Sequence, residues 1–131
     1  MYRVMIIDDE KALRNLLKAA VDWQEMGLEV VGEAASGIEA INIIDKLHPD
    51  IIFVDIRMPF MDGIEFSKIA LKRYRQMKII ILTAFDEFEY AKEAVHLEIK
   101  EYMLKPISAT ELSDSLVKLK NTLDKEREEK L

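Results

Sequence analysis

Five residues stand out for the chemistry they could perform together: Asp8, Asp9, Asp55, Thr83 and Lys105. Carboxylates gathered at one point repel one another unless a cation sits among them. Mg²⁺ suits such a set, because it takes hard oxygen ligands and completes its octahedron with waters and a phosphate. A threonine hydroxyl and a compact, mobile lysine charge are both suited to holding phosphoryl oxygens. Taken singly, each residue has a plainer use. Asp8, Asp9 and Glu10 can cap and charge the first turn of a helix. Asp55 can be a turn residue ahead of Met58-Pro59, Thr83 can close a local turn, and Lys105-Pro106 can be a turn with a solvated lysine. Either isomer of that prolyl bond is open. What decides between these readings is whether the chain brings the five to one place.

Apolar and β-branched runs at residues 3–7, 29–33, 51–55, 78–83 and 101–104 read as strands. Several are continuously apolar, as strands covered on both faces of a parallel sheet are. Helix-period segments lie between them. The first carries Leu13, Leu16, Leu17, Ala20 and Val21, and the second carries Ala40, Ile41, Ile43, Ile44 and Leu47. Ser36 with Glu39 forms a capping box for the second helix, and Asp62 with Glu65 and Ser108 with Glu111 repeat the entry signal for the third and fifth. A fourth helix is expected over about 87–97. Five β-then-α units predict one α/β domain: a doubly wound, five-stranded parallel sheet with five helices, flavodoxin-like in plan. In such sheets ligands bind beyond the carboxyl ends of the strands. Asp8 and Asp9 end the first strand, Asp55 the third and Thr83 the fourth, and Lys105 follows the fifth, so all five converge on one rim.

Composition bounds the partners. A chain of 131 residues with 50% hydrophobic and 34% charged residues has the balance of a globular protein with one core. No apolar run approaches the ~20 residues of a membrane span, and the N-terminus turns acidic too early for a signal peptide. Cysteine is absent, which excludes disulfides and thiolate metal sites and fits a reducing compartment, so a cytoplasmic protein is expected. With 19 Lys+Arg against 25 Asp+Glu, the net charge of −6 lacks the footprint of a nucleic-acid binder. His48 and His96 read as surface residues, and the seven methionines as fillers of core gaps.

The runs Ile7-Asp8-Asp9-Glu10, Val54-Asp55-Ile56-Arg57-Met58-Pro59 with Met61-Asp62-Gly63, Leu82-Thr83-Ala84 and Tyr102-Met103-Leu104-Lys105-Pro106 resemble, in order, the motifs of response regulator receiver domains. The resemblance covers about residues 2–123. The segments Asp22-Trp23-Gln24-Glu25-Met26-Gly27 and Phe85-Asp86-Glu87-Phe88-Glu89-Tyr90-Ala91 are further similar to receivers that precede an AraC-type helix-turn-helix effector. Glu98 departs from the pattern, since many relatives carry glycine there. The resemblance implies that Asp55 takes a phosphoryl group from a sensor histidine kinase. Asp9 and Asp55 would bind Mg²⁺ directly with the backbone carbonyl of Arg57, and Asp8 largely through water. Lys105 would pair with the phosphoryl group, Thr83 and the Ala84 amide would hold its remaining oxygens, and Tyr102 would be the switch aromatic that follows Thr83. Arg57 and Phe85 would flank the path of hydrolytic water and lengthen the phosphoryl lifetime.

Three other classes share parts of this pattern. A phosphatase of the haloacid dehalogenase type places its nucleophile first and an acid two residues later, whereas here the paired acids come first and position 57 is Arg. A flavodoxin-like electron carrier needs a hydroxyl- and glycine-rich first loop, and this one is acidic. A degenerate receiver would lack site residues that are all present. At the C-terminus, Ala109, Leu112, Leu116, Leu119 and Leu123 form a helical stripe. Beyond Leu119 the helix is expected to outrun the sheet, with residues 124–131 a charged, solvated extension or linker. The expected output is a phosphorylation-dependent homodimer, with DNA reached through an effector domain outside this sequence.

Overall fold

β-Branched and aromatic residues suit the pleated backbone, and the five runs in which apolar residues predominate become strands. The structure is a computed structural model, and it describes residues 1–84, 99 and 101–129. Within them lie strands β1 (Tyr2–Ile7), β2 (Leu28–Ala34), β3 (Ile51–Asp55), β4 (Lys78–Thr83) and β5 (Glu101–Leu104), and helices α1 (Lys11–Ala20), α2 (Gly37–Leu47), α3 (Gly63–Arg73) and α4 (Ala109–Glu129). The strands form one parallel sheet in the order β2-β1-β3-β4-β5. The strand order reverses between β1 and β3, so the crevice for a ligand opens where Asp8 and Asp55 end their strands. Four helices are present among the described residues where five were expected. The one expected over about 87–97 lies outside them, as do the segment beginning at Phe85, His96 and Glu98.

Alternation along each strand sends side chains to two separate cores. Met5, Ile7, Ile52, Val54, Ile79 and Ile81 face one side, where Ala40 and Ile44 of α2 and Phe66 and Ala70 of α3 cover them. Val4, Ile6, Ile51, Phe53, Ile80 and Leu82 face the other, under Leu17 of α1 and Leu112, Leu116, Leu119 and Leu123 of α4. Trp23 closes the second core edge-on to Phe53, with its indole N–H donating to the Lys18 carbonyl at 3.1 Å. Met5, Met58, Met77 and Met103 are buried in these cores, whereas Met1 is exposed.

The entry signals act largely as read. Ser36 accepts from the Glu39 amide at 3.1 Å, Asp62 from the Glu65 amide at 2.8 Å, and Ser108 from the Glu111 amide at 3.3 Å. The return half of the capping box differs, because the Glu39 carboxylate accepts from the Ala35 amide rather than that of Ser36. At α1 the three acids do not cap. Glu10 holds the N-cap position without a side-chain cap bond, and Asp8 instead accepts from the Glu10 amide at 2.8 Å.

The C-terminal helix does not outrun the sheet at Leu119. Leu123 is buried, the Tyr2 hydroxyl donates to Asp124, Lys78 pairs with Glu126 at 2.6 Å, and the Arg127 guanidinium lies 4.4 Å from the centre of the Tyr2 ring and 3.7 Å from Asp50. Ala109, at the start of the stripe, is exposed. Among the described residues no helix is long and apolar enough to cross a membrane.

Candidate functional site

Buried polar side chains are costly unless satisfied, so their positions single out a site. Among the described residues they are Asp8, Asp55, Ser67 and Thr83. Ser67 is accounted for inside α3, where its hydroxyl donates to the Gly63 carbonyl at 2.7 Å. Asp55 and Thr83 end β3 and β4, and Asp8 directly follows β1, all on one rim of the sheet.

Asp55 is 4% exposed, and one carboxylate oxygen accepts from Lys105 Nζ at 3.0 Å. The same ammonium stands 3.5 Å from Oδ2 of Asp8, which is fully buried and has no hydrogen-bond donor among the described residues. Lys105 reaches this point because β5 pairs with β4 in register and the Lys105 amide donates to the Thr83 carbonyl at 2.9 Å. The Lys105-Pro106 bond is cis. Asp9 and Glu10, both exposed, bring their carboxylate oxygens within 4.8 Å of each other and of Asp8. Glu10 was not among the residues singled out for metal binding, and only its adjacency to Asp9 pointed to it.

Charge follows burial. Burial, with the Asp8 carboxylate adding to it, pushes Asp55 up to about 6 against the opposing pull of Lys105. Burial likewise raises Asp8, although the Glu10 amide and Lys105 counter it. Burial alone would lower Lys105, but Asp55 and then Asp8 outweigh it and hold the ammonium above its ordinary value. Negative charge thus exceeds what one lysine neutralises. A buried acceptor lacking a donor, in an all-oxygen set, suits a hard divalent cation, so the residues present fit Mg²⁺.

Thr83 is fully buried with its hydroxyl donating to the Ala84 carbonyl at 3.1 Å. Arg57 is exposed just beyond β3. Tyr102 pairs in register with Ile81, two residues before Thr83, so Thr83 and Tyr102 share one sheet face. The Tyr102 hydroxyl is buried, and that burial raises its pKa. Phe85 lies outside the described residues. Gly63 passes so close to β3 that a Cβ there would stand 2.4 Å from the Asp55 carbonyl oxygen, while its amide donates to the Ile56 carbonyl at 2.8 Å.

Residues 4–117 match the family described as response regulator receiver domain. The chain belongs to that family. The receiver domain of AraT, a response regulator from Geobacillus stearothermophilus, superposes with a TM-score of 0.92 at 37% identity over 96% of this chain and 98% of that one. A two-component transcriptional regulator of the AraC type from Clostridium phytofermentans gives 0.90 at 34% identity over 97% and 98%. By sequence, this receiver is 34% identical over 124 residues to the transcriptional regulatory protein HptR of Staphylococcus aureus, covering 94% of this chain and 48% of that protein. It is 35% identical over 116 residues to the transcriptional regulatory protein YesN of Bacillus subtilis, described as uncharacterised, covering 88% and 32%. It therefore spans about a third to a half of the curated relatives it matches. It is a receiver domain of two-component response regulators, and its relatives are transcriptional regulators.

Proposed function

We propose that this receiver accepts a phosphoryl group on Asp55 from a sensor histidine kinase in the cytoplasm, with Mg²⁺ at the acidic rim. The observation that carries the reading is the Asp55 carboxylate, buried at a strand end with an oxygen 3.0 Å from Lys105 Nζ. When bound, the cation neutralises the carboxylates and the incoming phosphoryl oxygens. Asp9, Asp55 and the Arg57 carbonyl would hold it, with Asp8 acting through water. Asp55 attacks phosphorus, and the bond from phosphorus to the donor's imidazole nitrogen breaks with its electron pair left on that nitrogen. Lys105 then pairs with the phosphoryl group, and the Thr83 hydroxyl and Ala84 amide take its remaining oxygens.

Output follows from the Thr83 hydroxyl. It leaves the Ala84 carbonyl for the phosphoryl group, and Tyr102 responds on the same sheet face. Residues 1–123 form the receiver and residues 124–131 lead from it to an effector domain that binds DNA, with phosphorylation promoting a homodimer. Mass spectrometry after incubation with acetyl phosphate and Mg²⁺ tests the first step. The parent gains the mass of a phosphoryl group and Asp55→Asn does not; labelling of the variant at the parent's rate would refute the assignment. Light scattering with and without beryllofluoride tests the last, a parent that stays monomeric at high concentration counting against dimerisation.

A further inference from the structure

We propose that Arg14 is a positioning residue for the cation-binding turn, an inference that rests on Asp8 and Asp9 holding Mg²⁺ as above. Arg14 is an α1 residue with a side chain only 12% exposed, on the face turned to the sheet. Its Nε donates to Glu33 of β2 at 2.7 Å, while its Nη1 donates to the backbone carbonyl of Asp8 at 2.5 Å. Glu33 is paired in register with Ile6, two residues before Asp8, so sheet, helix and acidic turn are tied through one planar group. A guanidinium does this because its donors are fixed relative to one another, whereas the rotatable ammonium of a lysine would meet the same acceptors without fixing their mutual orientation.

The carbonyl that Arg14 grips belongs to the peptide joining Asp8 to Asp9. Fixing that plane fixes the direction in which the exposed Asp9 carboxylate leaves the chain. Asp8 has two other anchors, its amide on the Ala34 carbonyl at 3.1 Å and its Oδ1 under the Glu10 amide at 2.8 Å. Loss of Arg14 leaves the turn in place and frees the peptide to rotate. Lys18, one helical turn on, pairs with the same Glu33 at 2.5 Å without touching Asp8, which makes it an internal control.

The positioning role and a bare charge effect have opposite signs. A cation near a cation site weakens Mg²⁺ binding, so removing charge alone would tighten it. Removing an outer-sphere group that orients ligands weakens metal binding, commonly by 10- to 100-fold where the contact is to a ligand side chain. Isothermal calorimetry with Mg²⁺ at constant ionic strength should therefore find Arg14→Met weaker by about tenfold, Arg14→Lys between it and the parent, and Lys18→Met equal to the parent or tighter. Arg14→Met binding Mg²⁺ as tightly as the parent overturns the proposal, as does an equal loss in Lys18→Met. Should Arg14→Met not fold, Glu33→Gln takes its place, and unchanged affinity there overturns it too. A parent that gives no Mg²⁺ binding refutes the acidic site itself, a result distinct from either.

Discussion

At the scale of single residues, folding creates an imbalance of charge at the site that costs stability. Asp55 illustrates the cost. Its pKa rises from 3.8 to about 6, so between these values the native state binds more protons than the unfolded chain. Stability from this group is therefore complete below about pH 4 and is lost as pH rises through about 6. Asp55→Asn should melt higher than the parent at pH 7 in metal-free buffer, by on the order of 2 kcal/mol, and the advantage should vanish near pH 4. Calorimetric melts across that range check it, and a pH-independent difference would show that burial of this carboxylate is not the cause. Glu33 has the opposite sign. Lys18 first and Arg14 second hold it below the usual carboxylate range, so its contribution is present above the ordinary glutamate pKa and fades as pH falls through the depressed one. Glu33→Gln should lower stability at neutral pH by about 1 kcal/mol and have little effect in strong acid.

Among the elements, α3 and β3 meet where Asp55 must be held still. Gly63→Ala sets a methyl carbon against the Asp55 carbonyl, a backbone atom that cannot move without moving the site. A cost of about 1–3 kcal/mol in urea denaturation is expected, with slower phosphorylation by acetyl phosphate. Ser36→Ala, which removes the cap of α2 and touches none of the site residues, should cost about 1 kcal/mol and leave phosphorylation unchanged. Elements were largely legible in the sequence because period and punctuation agree: β3, β4 and β5 begin and end at the expected residues, and the caps at Ser36, Asp62 and Ser108 all form. Asp8, Asp55, Thr83 and Lys105 were legible as a group because each is a polar exception at a strand end. Arg14 and Glu33 were not, since a charged residue on a helix or an edge strand looks the same whether it faces water or a neighbouring backbone. Docking of the last turns of α4 was missed for a related reason: a run of charges reads as solvated until partners such as Lys78, Asp50 and Tyr2 are brought beside it by distant parts of the chain.

For the molecule as a whole, α4 lies along one face from the loop after Lys105 to the opposite pole, where Asp124 and Arg127 grip Tyr2 and Asp50. Arg127→Ala together with Tyr2→Phe should quicken amide exchange over residues 120–129, leaving exchange at Thr83 and Lys105 as it was. Faster exchange throughout the protein would mean instead that this pole contributes to global stability. At 21 residues the helix is about 30 Å long. Held at both ends it behaves as a beam with two supports, and one support stands next to the lysine that would meet the phosphoryl group. A tilt of about 5° at that end, with the far grip released, would swing the other tip by roughly 2–3 Å, about half a helical turn's rise. On this geometry the aromatic and ionic contacts at Tyr2 would damp any motion begun at Lys105 while they are closed, and their release would let the beam act as a lever.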